Sequence, residues 1–425
     1  MTWPADLLGQ ASFPAGLGDG TAGIVLFFLN LHETTGDPDH LSIALAGADH
    51  LLSTIPATLG NLDALPIQTS LYSGFPSVAL ALHDAFARTG DERYGSGVRS
   101  IVDLVHAHAQ RDADGAWWST YNDVLNGNAG TGLFLLFAAR ELAHDPSLEL
   151  AVAAGRKLLS RRIESEYGRT WKLREDSRFI LPNFSHGSAG IGFFLATLYQ
   201  ATGREEFLEA ALEAGAFLES AADTSGGGFL VPYGWPDEGW RRPHDVGWAH
   251  GPAGTARLFY RLWEVTGDSR WLAHVHQSAA SLMASGLHGT PAPDFGTDPF
   301  DIDRRFGLGS VAEFFMDLHR VSGEGEYLDS ARSLMELIGR RATRDASGTY
   351  WTIPRFLFME DAGSPAAFTG YFYGAAGFGL LMLQMDALQR DAPRPTPWPD
   401  NPFPRIGFFA PSVGDAANVT QDTIP

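Results

Sequence analysis

The chain has 425 residues, no cysteine and a formal net charge of −20, from 50 acidic and 30 basic side chains. The lack of cysteine excludes disulfides, thiolate metal sites and a cysteine nucleophile. No basic cluster stands out, which argues against nucleic acid as a partner and favours a soluble protein or one that accepts basic peptides.

The N-terminal 15 residues have neither the basic n-region nor the apolar h-region of a signal peptide. The apolar run at residues 24–29 is too short to span a bilayer. We therefore expect a soluble, cytoplasmic protein.

A glycine-rich helix start followed by an apolar run recurs along the chain, most clearly at residues 185–198 (SHGSAGIGFFLATL). The other copies open at Gly20, Gly74, Gly127, Gly251, Gly309 and Gly374. Because a period of this size indicates an array of one supersecondary unit, the repeat predicts a single large domain.

Five of the copies continue through a turn resembling Thr-Gly-Asp into an amphipathic helix, as at residues 202–218, and the third does so through Ala143-His144-Asp145. Glycine suits the end of the first helix and an acidic residue suits the start of the second. Seven such hairpins predict an all-α fold, an α/α toroid with an inner and an outer helix ring over residues 16–390. Residues 1–15 form a lead-in and residues 391–425 a proline-rich tail, and neither supplies a seventh outer helix. The ring is therefore expected to close with thirteen helices, or the chain to be a module that follows another domain.

Long connections return each outer helix to the next inner one, and Gly-aromatic patterns at residues 115–118, 228–233 and 348–351 indicate short strands or hairpins. By connectivity these loops share one end of the toroid with the N-termini of the inner helices. Exposed N–H groups and favourable dipoles converge there, so we expect the chemistry at this mouth.

The repeated helix starts, with WAHG at 248–251 and SHGSAG at 185–190, resemble the lanthionine synthetase C-like family over residues 16–390. The family's cyclases add a peptide cysteine thiol across dehydroalanine or dehydrobutyrine, with a zinc ion held by two cysteines and one histidine. The resemblance implies a modified precursor peptide as substrate, and other biosynthetic enzymes, such as a dehydratase or a kinase and lyase, as partners.

The metal ligands of the family are missing from this chain. Its Trp-Cys-x-Gly motif corresponds to Trp248-Ala249-His250-Gly251, and its Cys-His-Gly motif is matched to Gly307-Leu308-Gly309. We therefore expect no zinc and no other cofactor. Similar zinc-less cyclase domains occur in class III lanthipeptide synthetases, so the resemblance is compatible with a metal-free cyclase.

Three residues are candidates for acid–base work. Asp123 and His186 match an aspartate and a histidine of the family before the third and fourth inner helices, and His250 occupies the position equivalent to His186 one unit later. A neutral imidazole at a helix start is suited to accept a thiol proton. All three residues are equally compatible with capping or structural roles.

Candidate substrate-binding residues lie on the mouth loops: Trp118, Trp240, Trp248, Tyr373, Asp301 and Asp303. The acidic run at residues 294–305 suits Mg²⁺, Ca²⁺ or a basic peptide, but its two arginines also favour an internally neutralised loop. The aromatic residues suit a peptide wall or the core.

Three function classes remain open. One is a zinc-independent peptide cyclase, with His186, Asp123 and His250 sharing the chemistry. The second is an inactive peptide-binding or scaffold protein. The third is another cavity enzyme on the same toroid, either a glycosidase, which needs two flanking carboxylates, or a terpenoid cyclase.

Overall fold

The computed structural model describes residues 15–60, 66–236, 243–289, 291–292, 295, 300–346, 348–353, 366–392 and 399–403. Thirteen α-helices within these ranges alternate between two rings. The inner ring consists of α1 (Thr21–Thr35), α3 (Phe75–Thr89), α5 (Asn128–Glu141), α7 (Ser188–Thr202), α9 (Pro252–Thr266), α11 (Leu308–Ser322) and α13 (Ala375–Gln389). The outer ring consists of α2 (Pro38–Thr54), α4 (Glu92–Ala107), α6 (Asp145–Ser160), α8 (Glu205–Ala221), α10 (Ser269–Ala284) and α12 (Gly325–Arg340). A 3₁₀ turn spans Pro66–Thr69.

The predicted α/α toroid is confirmed. Each inner helix packs against the outer helix that follows it, and the last inner helix, α13, packs against α1. The backbone N–H groups of Tyr371 and Phe372 donate to the carbonyls of Leu17 and Gly18, at 3.3 and 2.8 Å. The inner ring therefore closes without a seventh outer helix among the described residues. None of the described helices combines the length and the apolar character that crossing a membrane requires.

Glycine opens each inner helix because the backbone of the preceding loop lies against the helix start. A Cβ atom on Gly187 would collide with the carbonyl oxygen of Leu181, and one on Gly190 with that of Phe184. This close approach explains the recurring G-x-x-G pattern. The sixth inner helix departs from the prediction, since its N-cap is Gly307 and not Gly309.

The turns between inner and outer helices follow local chemistry. Gly36, Gly90 and Gly203 end their helices with φ of 69°, 68° and 64°, in the left-handed region that glycine adopts without strain. The Asp37 and Asp91 side chains then accept hydrogen bonds from backbone N–H groups in the first turn of the next helix.

Among the described residues, four antiparallel two-stranded sheets lie in the connections: the hairpins β1–β2 (Gln110–Asp112, Gly115–Trp117), β3–β4 (Ile163–Ser165, Gly168–Thr170) and β5–β6 (Thr343–Asp345, Gly348–Tyr350), and the pair β7–β8 (Thr352–Ile353, Ala366–Ala367). The first three hairpins are each followed by a buried tryptophan, Trp118, Trp171 or Trp351. The indole N–H donates to the carbonyl of Val105, Leu158 or Ile338 in the outer helix before it, at 2.7, 2.7 and 2.8 Å. These tryptophans fix each hairpin to its helix.

A short C-terminal segment, residues 399–403, lies inside the inner ring, although the sequence assigned it to a tail beyond the toroid. Asp400 is 1% exposed, and its Oδ2 accepts hydrogen bonds from Arg257 at 3.0 Å and from the Trp248 indole at 2.7 Å. Asn401 donates to the Asp317 carboxylate at 2.9 Å, and the Phe403 ring packs between inner helices α9 and α11. The chain's own C-terminal residues therefore pack into the interior of the toroid, where Asp400 and Asn401 line a remaining pocket of about 270 Å³.

Candidate active site at the mouth of the toroid

The residues that precede the N-cap glycines form a ring at the mouth. One half is polar and the other is aromatic or imidazole: Asp19, Ser73 and Asn126, then His186, His250, Phe306 and Tyr373. Consecutive rings in the aromatic half are in contact, with centroids 5.5, 5.8 and 6.5 Å apart from His186 through to Tyr373. We call these seven side chains the mouth ring.

A belt of backbone hydrogen bonds fixes the mouth ring. The residue two positions before each N-cap glycine pairs with its equivalent in a neighbouring unit, as in Leu125 N to Ser185 O at 3.0 Å, Ser185 N to Ala249 O at 3.0 Å and Ala249 N to Arg305 O at 2.8 Å. Since these turns are bonded to one another, the side chains beside them are held in a defined arrangement.

His186 and Asp123 form a hydrogen-bonded pair across adjacent units, with 2.7 Å between Nδ1 and Oδ2. The other oxygen of Asp123 accepts the backbone N–H of Asn126 at 2.7 Å, and the Asp123 side chain is 0% exposed against 14% for His186. Because a carboxylate accepts, we assign the proton to Nδ1, which leaves Nε2 as the basic nitrogen. The pair has the base-and-orienter geometry of an acid–base catalyst.

His250 lies between two aromatic rings next to His186. Its ring centroid is 4.1 Å from that of Tyr233 and 5.8 Å from that of Phe306, and its Nδ1 lies 3.1 Å from Oδ1 of Asn183. The Asn183 amide nitrogen already donates to the His250 carbonyl at 2.8 Å, so its Oδ1 is an acceptor and His250 carries its proton on Nδ1. Burial, with the electrostatic effects of His186 and Arg305 acting in the same direction, holds the pKa of His250 well below 6.5.

The lowered pKa of His250 predicts how the stability of the folded protein depends on pH. The unfolded chain binds a proton on His250 at about pH 6.5 and the folded chain does not, so the free energy of unfolding falls as pH drops below that value. His250→Gln keeps a donor for Asn183. We expect this substitution to reduce the slope of the free energy of unfolding against pH by up to about 1.4 kcal/mol per pH unit. Denaturant titrations of both proteins between pH 7.5 and pH 5 measure this, and parallel curves would contradict the assignment.

Arg305 brings a guanidinium group to the mouth. One of its terminal nitrogens, NH1, donates to the Tyr373 hydroxyl at 3.0 Å, and NH2 lies 3.4 Å from Nε2 of His186. The guanidinium carbon lies 4.8 Å from the ring centroid of Phe306. A fixed positive charge therefore stands beside the basic nitrogen of the His186–Asp123 pair.

The predicted catalytic residues come together, but several predicted substrate-binding residues do not line the mouth. Trp118 and Trp248 are 1% and 4% exposed, and their indole groups are committed to Val105 and Asp400, so both belong to the core. Tyr373 does lie on the mouth ring. Trp240 lies outside the described residues.

The prediction that the acidic loop binds substrate through Asp303 is also corrected by the structure. Asp303 is 1% exposed, and its Oδ1 accepts the backbone N–H groups of Arg305 and Phe306 at 2.7 and 2.8 Å, so it caps its own turn. Burial raises the pKa of Asp303 to about 7 against the opposing effect of those bonds. Asp301 is half-buried, and residues 293–294 and 296–299 lie outside the described part.

The sixth inner helix begins two residues earlier than predicted. Different residues of this chain therefore occupy the positions of the family's zinc ligands. Because Gly307 is equivalent to Gly187 and Gly251, the Cys-His-Gly motif corresponds to Arg305-Phe306-Gly307. With Ala249 these positions offer a methyl, a guanidinium and a phenyl group, none of which can bind zinc. Within the described ranges, no three His, Asp or Glu side chains cluster as a metal site would require.

Sequence reasoning missed Arg305, Phe306, Tyr233 and Asn183. The position before each N-cap glycine would have indicated Phe306, once the sixth helix was placed in the correct register. No local signal pointed to Asn183 or Tyr233, because their contacts with His250 join residues that are distant in the sequence.

Comparisons with known proteins agree with this architecture. The fold resembles that of nisin cyclase, with a TM-score of 0.62 and 16% identity over 88% of this chain and 89% of that one, a likeness that shows the fold alone. A zebrafish (Danio rerio) protein named glutathione S-transferase LANCL1 is 28% identical over 143 residues, 34% of this chain and 30% of that protein, so the chain spans less than a third of this relative. The family model of lanthionine synthetase C-like proteins matches residues 12–400. The chain therefore belongs to the lanthionine synthetase C-like family.

Proposed function

We propose that this protein is a zinc-independent cyclase that adds a cysteine thiol to dehydroalanine or dehydrobutyrine in a modified peptide. The observation that carries the proposal is the hydrogen bond between Nδ1 of His186 and Oδ2 of Asp123, at 2.7 Å. It leaves Nε2 of His186, a side chain of the mouth ring, as the basic nitrogen. Family membership supports a thiol-addition chemistry, as do the names of two similar proteins, nisin cyclase and a glutathione S-transferase.

In this reaction Nε2 of His186 accepts the thiol proton, and the sulfur attacks the β-carbon of the dehydro residue. The new S–Cβ bond forms as the Cα=Cβ π bond breaks, and its electron pair becomes an enolate on the neighbouring carbonyl. The imidazolium of His186 then returns the proton to Cα. Asp123 keeps the imidazole in the required tautomer and stabilises its charged form.

His250 contributes a second imidazole that stays neutral at physiological pH, since burial depresses its pKa. The residue is 3% exposed, and its ring lies 5.5 Å from that of His186. Because its only N–H proton, on Nδ1, faces Asn183, we assign its Nε2 as an acceptor that assists thiol deprotonation, while the aromatic half of the mouth ring packs against the peptide.

The test presents a synthetic peptide with one dehydroalanine and one cysteine to the wild type, His186→Ala and His250→Ala. Thiols left free to alkylation are counted over time, and glutathione with a cysteine-free dehydroalanine peptide forms a second arm. We expect the peptide thiol to disappear faster with the wild type than in buffer alone. The rate with His186→Ala should be lower than the wild-type rate by about 10² to 10⁴-fold.

Binding of the same peptide is measured in parallel by fluorescence anisotropy. A wild type that binds the peptide but consumes thiol at the buffer rate refutes the cyclase and supports a peptide-binding scaffold. If the protein accelerates thiol consumption only in the arm with glutathione and the cysteine-free peptide, the result refutes the cyclase and supports a glutathione transferase instead.

A further inference from the structure

The positions that would hold zinc in this family converge in space in this chain. Ala249 N–H donates to the Arg305 carbonyl at 2.8 Å, and the rings of His250 and Phe306, the next residues of the two turns, are stacked with an interplanar angle of 4°. The chemistry of the converging groups is the opposite of a metal site. The Ala249, Arg305 and Phe306 side chains at these positions offer no lone pair to a cation, and the Arg305 guanidinium is itself a cation.

The Arg305 guanidinium is partly buried, and among the described residues its hydrogen-bond partners are neutral groups. Its described contacts are the Tyr373 hydroxyl, the His186 imidazole and the ring faces of Phe306 and Phe372. Among the described residues the Asp19 carboxylate acts on it electrostatically without a direct ion pair, and its Nε is buried without a hydrogen-bond partner. A charge held in this way is stabilised when an anion arrives.

The contact with His186 shows where such an anion would lie. At 3.4 Å the NH2 to Nε2 distance is long for a hydrogen bond, so it is readily exchanged for a better acceptor. A group that gives its proton to Nε2 would become negative within reach of the guanidinium.

We infer that Arg305 supplies the fixed positive charge of this mouth and holds the sulfur anion of the attacking thiol. The inference deepens the proposed function and rests on it for the identity of the anion. The thiol proton passes to Nε2 of His186, and the charge left on sulfur is paired with the guanidinium. The guanidinium is part of the chain, so no bound metal ion is needed to supply the charge. Arginine also stays protonated at every physiological pH.

The absence of native cysteine allows a test that needs no substrate. Phe306→Cys places the protein's single thiol beside the guanidinium, and its pKa is read from the pH dependence of alkylation by iodoacetamide. Ser73→Cys is the matched control, because it occupies the same position before an N-cap glycine in the polar half of the mouth ring. The control carries the same helix-terminus effect on the thiol.

We expect the thiol of Phe306→Cys to have a pKa about 1 to 3 units higher when Arg305→Gln is added, and little change when Arg305→Gln is added to Ser73→Cys. Arg305→Lys should restore part of the difference. Equal pKa values with and without Arg305 overturn the inference and leave the cyclase proposal standing. If circular dichroism shows that Phe306→Cys does not fold, Tyr373→Cys, at the hydroxyl that Arg305 contacts, takes its place under the same criterion.

Discussion

Replacing Asp400 with alanine is expected to lower the free energy of unfolding by about 3–5 kcal/mol, the usual cost of leaving a buried charge without its partner. The Arg257 guanidinium is 6% exposed and depends on the Asp400 carboxylate at 3.0 Å. The same carboxylate anchors the indole of Trp248, two residues before His250 in a turn of the hydrogen-bonded belt. Chemical denaturation of the full chain measures the change.

The control is Asp329→Ala, which removes the carboxylate of a pair whose side chains are 46% and 79% exposed, and which should cost less than about 1 kcal/mol. A second control places Asp400→Leu in an Arg257→Met background, where removal of both charges is expected to recover most of the loss. If Asp400→Ala and Asp329→Ala cost the same, the interior segment does not stabilise the toroid.

Asp123→Asn is expected to reduce the cyclisation rate by about 10² to 10⁴-fold while the protein stays folded. The asparagine oxygen can still accept the Asn126 N–H, so the turn keeps its cap. The second oxygen, which fixes the proton on Nδ1 of His186, becomes an amide nitrogen and favours the other tautomer. Thiol consumption and thermal unfolding measured on the same samples separate these two effects.

Asp303→Asn is the matched control. Asp303 lies four residues before its N-cap glycine, as Asp123 does, and caps its turn through two backbone N–H groups, but no imidazole pairs with it. We expect cyclisation by this variant within about threefold of the wild type. Equal losses in Asp123→Asn and Asp303→Asn would show that the turn matters and the His186–Asp123 pair does not.

The repeat unit was predictable because its determinants are local. Glycine at a helix end with φ near 69°, aspartate at the next N-cap and apolar residues between them each act within a few residues of sequence. The one misplaced start, Gly309 for Gly307, arose because the sequence offers two glycines two residues apart. The tertiary structure selects the first, because the carbonyls of the preceding loop at Asp301 and Ile302 accept from the N–H groups of Leu308 and Gly309.

The aromatic residues of the connections were harder to assign. A tryptophan after a hairpin reads equally as a wall of the mouth or as core, and Trp118 proves to be core because its N–H reaches the carbonyl of Val105, 13 residues earlier. Hydrophobicity alone does not distinguish the two roles, since both bury apolar area.

The sequence by itself determined the six helical hairpins and the seventh inner helix, the shared end of the inner helices and, through the family resemblance, two members of the site, Asp123 and His186. Tertiary structure alone decided that Arg305 stands beside His186, 119 residues away, and that Asp400 closes an ion pair with Arg257 across 143 residues. The reason is physical. Caps and turns are set by neighbours along the chain, whereas the position of a buried charge is set by whichever partners the closed ring brings within a few ångströms of it.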